Sequence, residues 1–119
     1  MSLDGGEVVS HGVPESDWKV FRELREAALQ RFCERVLDEV LRIAHDRALN
    51  HHDRYVTVFR LLQTRDKQLA HAFDNASRSR MIDQLVMIHA LDLLSPSDLE
   101  RFTPETRSRL ERLANVGES

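Results

Sequence analysis

Residues 18–47 read WKVFRELREAALQRFCERVLDEVLRIAHDR, thirty residues without a glycine or a proline. Apolar side chains recur at Trp18, Phe21, Leu24, Ala28, Phe32, Val36, Val40 and Ile43. Steps of three and four are the period of an α-helix. At 1.5 Å per residue such a helix is roughly 45 Å long. A compact chain of this size has a radius of gyration of only roughly 13–14 Å. The helix must therefore bend or protrude. Its apolar stripe also splits. Phe21, Leu24 and Ala28 lie roughly 160° around the axis from Cys33, Leu37, Val40 and Ala44. Two facets imply a kink near Leu29–Phe32, or a second subunit against one of them. Trp18, Phe21, Leu24, Ala28, Leu37 and Leu41 are the interface candidates.

The same character extends outward. No glycine or proline occurs from Ser16 to Leu94. Strand folds need a turn every ~8–12 residues, commonly marked by such residues. The chain is read as all-α. The entry Glu15-Ser16-Asp17 offers Ser16 as a cap and Asp17 to the positive end of the helix dipole. Asn50 ends the first helix or caps the second, which is predicted over about His51–Asp74. The second helix's apolar face is Tyr55, Val58, Phe59, Leu62, Leu69, Ala70 and Phe73. Asn75-Ala76-Ser77 is a turn. A third helix, about Arg78–Leu93, is apolar around nearly its whole circumference, which suits the centre of a fold. Ser95-Pro96-Ser97-Asp98 and Thr103-Pro104-Glu105-Thr106 place a capping hydroxyl before a proline. They predict short helices over about Pro96–Phe102 and Pro104–Ala114. Residues 1–14 read as a flexible tail, 15–116 as one helical domain, and 117–119 as a flexible end.

Composition narrows the function classes. With 119 residues, 41% hydrophobic and 31% charged, the chain can close an apolar core. The net charge of −3 leaves no basic footprint for nucleic acid. The cations are 15 Arg and 2 Lys. Cys33 is the only cysteine, so no intrachain disulfide forms and a cytoplasmic location fits. No apolar run approaches ~18 residues, so no membrane span is expected. Met1–Gly6 lacks the basic and apolar regions of a signal peptide.

Four side chains stand out as a candidate buried polar network. Asp66 falls within the apolar stripe of the second helix, with Arg65 at its edge. A buried carboxylate needs a partner. Arg78 and His89, on one face of the third helix, could supply it. The network is an ion pair that fixes helix packing or, alternatively, the centre of an enzyme or small-ligand site. Glu34, Asp38 and His45 share a face, but Arg31, Arg35 and Arg42 on that face suit a salt-bridge ladder better than a metal site. No metal or cofactor is expected, and no catalytic motif is present. The chain is read as a non-enzyme. A nucleic-acid-binding regulator using Arg78 and Arg80, with Arg101, Arg107, Arg109 and Arg112, is the other alternative. It is weakened by the apolarity of the third helix and the interleaved Glu100, Glu105 and Glu111.

Several segments resemble short all-helical bacterial proteins of unknown function. They are Trp18–Arg25, Arg54-Tyr55, Arg65-Asp66-Lys67, Ala72-Phe73-Asp74 and Phe102–Arg107. The resemblance spans most of residues 16–113 and implies no activity. The leading expectation is a protein–protein interaction module. It would form a homodimer through its long first helix, with an unidentified second protein as the other partner class.

Overall fold

The computed structural model describes residues 12–118. Residues 1–11 of the tail expected over 1–14, and Ser119 of the end expected over 117–119, lie outside the described residues, whereas Gly117 and Glu118 belong to the last helix. Helix α1 spans Glu15–Ala44, α2 His51–Phe73, α3 Met81–Ala90, α4 Pro96–Leu99 and α5 Pro104–Glu118. A 3₁₀ turn, Arg78–Arg80, leads into α3. Among the described residues every regular element is helical, as the sequence predicts.

The core is built from one facet of α1. Phe21, Leu24, Ala28, Phe32 and Val36 are buried with Ala72 and Phe73 of α2 and Met81, Ile82, Leu85 and Ile88 of α3. Leu93, Leu94, Phe102 and Leu110 close it from the C-terminal side. Each such side chain contributes roughly 1.5–3 kcal/mol by leaving water. α3 supplies four of these residues from ten, the central place expected of it.

Burial along α1 stops at Val36. Beyond it, α1 and the first half of α2 run on together as an antiparallel arm. The molecule is 65 × 29 × 26 Å, with a radius of gyration of 18.1 Å. This is well above the roughly 13–14 Å of a compact chain. The long helix therefore protrudes. It runs unbroken through Leu29–Phe32, where a kink was one expectation.

Helix ends are closed by arginines from neighbouring elements. Arg54 donates to the carbonyls of Ala44, at 2.7 Å, and Leu49, at 3.2 Å. Arg25 donates to the carbonyl of Phe73 and lies over the Phe73 ring. Arg31 donates to Leu93, and Arg35 to Leu91 and Asp92, across the end of α3. Ala44 and Phe73 end α1 and α2 and Leu91 follows α3, so these carbonyls lie at the negative ends of helix dipoles, whereas Leu49 belongs to the link before α2. The expected ladder of Arg31 and Arg35 with Glu34 and Asp38 does not form, because these guanidinium groups reach the end of α3 instead.

Local boundaries differ where no glycine marks them. α3 stops at Ala90 because Asp92 takes a left-handed φ of 58°. Its N–H bonds to His89 O, and the N–H of Leu93 bonds to Ile88 O. That is a Schellman ending, with apolar Leu93 and Ile88 both buried. α1 starts at Glu15 with Pro14 at the cap, so Ser16 is inside the helix. Val13, predicted to lie in a tail, is buried, and its carbonyl accepts from Arg78. α4 is one turn, and α5 continues past Ala114.

Candidate protein interface on the helical arm

The tip of the arm is a tight link. Asn50 Oδ1 caps α2 by accepting from Asp53 N at 2.7 Å, and Asp46 caps Ala48 N. At the other end, Phe32 packs on Phe73 with ring centroids 6.1 Å apart. Between these points the two sides of the arm differ.

One side is polar and partly covered. Ala90 and Leu91 line it together with Arg35, Glu39, Arg42 and Arg65. Arg65 Nε and Nη2 donate to the two oxygens of Glu39 at 3.0 and 2.8 Å, and Nη1 donates to Gln68. The Arg65 hydrogen bonds hold the Glu39 carboxyl below its usual range against the opposing effect of burial. The same bonds raise the guanidinium. The Ser95 backbone N–H, followed by Arg31, holds Asp98 low in the same way.

The Glu39 shift has a definite sign. Its folded form gives up a proton at lower pH than its unfolded form does. The pair's contribution is therefore complete above about pH 4.5 and lost as pH falls through the depressed folded value. Glu39→Gln is expected to lower stability by about 1 kcal/mol at neutral pH. The gap from the unmodified chain should close in acid. Urea titrations at pH 7 and at stepped acidic pH measure it, and a gap independent of pH would contradict the assignment.

The other side is apolar and open. A groove of about 600 Å³ runs between Cys33, Val36 and Leu37 of α1 and Phe59, Leu62 and Leu69 of α2. Leu41, four residues after Leu37, and Tyr55, four before Phe59, extend the same faces towards the tip. Exposure is 62% for Leu37, 56% for Leu41, 70% for Tyr55, 53% for Phe59 and 44% for Leu62. Lone exposed apolar residues are ordinary, whereas a contiguous set marks a contact surface.

The interface candidates thus divide. Leu37 and Leu41 lie on the open face. Phe21, Leu24 and Ala28 do not, because the chain's own α3 and C-terminal segments cover that facet. Trp18 is half-buried, stacked on Phe21 at 5.7 Å with Arg22 over its ring. Tyr55, Phe59 and Leu62, read from the sequence as part of the apolar face of the second helix, are exposed and make up most of the open face.

The predicted buried network does not assemble. Asp66 is exposed in the groove, since nothing covers α2 at that height, and it needs no buried partner. Arg65 serves Glu39. Arg78 pairs with Glu15 at 2.8 Å and with Val13 O. His89 is half-buried on α3, and no hydrogen bond joins it to the other three.

The buried carboxylate is Asp17, which the sequence suggested only as a dipole partner. It accepts from Thr103 N at 3.0 Å, Thr103 Oγ1 at 2.7 Å and Thr106 Oγ1 at 2.6 Å. The two threonines of the Thr103-Pro104-Glu105-Thr106 cap were the available signal, since their hydroxyls need acceptors.

No three His, Cys, Asp or Glu side chains cluster to hold a metal among the described residues. No described helix is long and apolar enough to cross a membrane. No family model, curated protein or solved structure significantly matches this chain.

Proposed function

We propose that this chain is a protein–protein interaction module that self-associates through its helical arm. One observation carries the reading: five large apolar side chains are exposed together on one side of a protruding helix pair. Pairing such faces removes apolar surface from water and converts two-helix arms into a four-helix bundle. The long α1 is then the scaffold of an interface and the bundle at its base is the support. A cytoplasmic setting accords with the single free cysteine in the groove wall.

Sedimentation velocity over a wide concentration range tests this. The full chain is expected to pass from monomer to dimer as concentration rises. Phe59→Glu should remain monomeric with unchanged helical content. A full chain that stays monomeric at high micromolar concentration would remove self-association as the function.

A further inference from the structure

Resting on that reading of the arm, we infer that a second copy docks by a two-fold axis parallel to the arm, so that α1 of each copy lies along α2 of the other. The evidence is the unlike charge on the two borders of the apolar strip. Glu34 and Asp38 stand beside Leu37 on the outer edge of α1. Arg60 and Lys67 stand beside Gln63 on the outer edge of α2, a border that stays net basic although Asp66 lies next to them, towards the apolar strip. Glu34, Asp38, Arg60 and Lys67 are all exposed, and none belongs to an ion pair among the described residues. Arg31, near Glu34, is bound to Leu93 O and Asp98 instead.

A two-fold interface presents the same patch twice, so the patch must complement itself. Two face-to-face arrangements of a hairpin are available. With the axis across the arm, α1 meets α1 and α2 meets α2. Acid then faces acid along one border, and base faces base along the other. With the axis along the arm, the acidic border of each copy meets the basic border of the other, on both sides at once. Like charges brought together at an interface oppose association, and unlike ones set its register. The acids and bases lie on the same stretch of arm, between the Phe32–Phe73 contact and the Arg54–Ala44 link. The base of the molecule leaves room. The end of α3 lies on the polar side of the arm, held by Arg35, so it does not intrude on the apolar side. The product is a four-helix bundle of antiparallel neighbours with both tips at one end.

Charge reversal distinguishes the arrangements. Glu34→Lys with Asp38→Lys makes both borders basic, and Arg60→Glu with Lys67→Glu makes both acidic. By sedimentation equilibrium at low salt, each variant alone should associate at least about tenfold more weakly than the unmodified chain. An equimolar mixture should recover a one-to-one dimer of at least the original affinity. The loss should shrink at high salt. If each variant alone dimerises as well as the unmodified chain, like borders already face like, and the proposed pairing is wrong while self-association stands. A mixture that stays monomeric also overturns the pairing. An unmodified chain that never dimerises overturns the underlying reading as well, and only that result does so.

Discussion

Asp17→Ala is expected to lower stability by about 3 kcal/mol, with a fall in melting temperature of roughly 12 °C for a chain of this length. Asp17 is 1% exposed. Its two oxygens take three hydrogen bonds from the start of α5, at 2.6 to 3.0 Å. Hydrogen bonds to a charged acceptor contribute more than neutral ones. Truncation also strands the Thr103 N–H and two hydroxyls in a site that water does not reach freely. These bonds span 86 and 89 residues of sequence, so they join the two ends of the fold. Ser16→Ala, one residue away and exposed, is the control and should change stability by less than about 0.5 kcal/mol. Urea unfolding of both variants decides the matter. Equal losses would mean that Asp17 does not clasp α5.

Thr106→Val is a useful companion, because it removes one donor and keeps the shape. If the carboxylate acts through that hydroxyl, the double variant with Asp17→Ala should lose less than the sum of the two. Such non-additivity is how a shared contact is recognised.

The helices were legible in the sequence because their signals are local. Spacings of three and four set α1 and α2, and Ser95-Pro96 and Thr103-Pro104 announced the last two helices. The end of α3 was not legible. Its left-handed residue is Asp92, and nothing in Leu91-Asp92-Leu93 distinguishes it from a continuing helix. The site was half legible. The two facets of α1 were visible, and Leu37 and Leu41 fell on the open one. Which facet faces inward depends on residues far along the chain, Met81–Ile88 and Phe102 among them, and periodicity carries no such information. Asp66 held a clue that can be read either way. A charge inside an apolar stripe signals a buried pair if the stripe is core, and exposure if it is surface. Burial decides between these, and burial is a tertiary property. Four of the arginines were illegible for a similar reason. Arg25, Arg31, Arg35 and Arg54 each serve a carbonyl on another element, so no i,i+4 pattern reveals them.

Two phenylalanines of α2 provide the sharpest test of a molecule divided into base and arm. Phe73→Ala should cost about 4 kcal/mol, and the melting temperature should fall by roughly 15 °C. Its ring is 1% exposed, packs on Phe32 and lies beneath Arg25. Deleting it opens a cavity where the arm joins the base, and two breakable contacts go with it. Phe59→Ala removes the same atoms from the same helix fourteen residues earlier. There the ring is 53% exposed, so the folded monomer loses little, less than about 1 kcal/mol. The loss should appear in association instead, as a dimer weakened at least about tenfold. Thermal melts at low concentration read the first effect and sedimentation reads the second. If dilute Phe59→Ala melted as low as Phe73→Ala, the open face would belong to the monomer's own core. The division of labour between the ends of α2 would then be wrong. If the two effects separate, folding and recognition reside in different stretches of one helix, because only the first stretch was left without a neighbour.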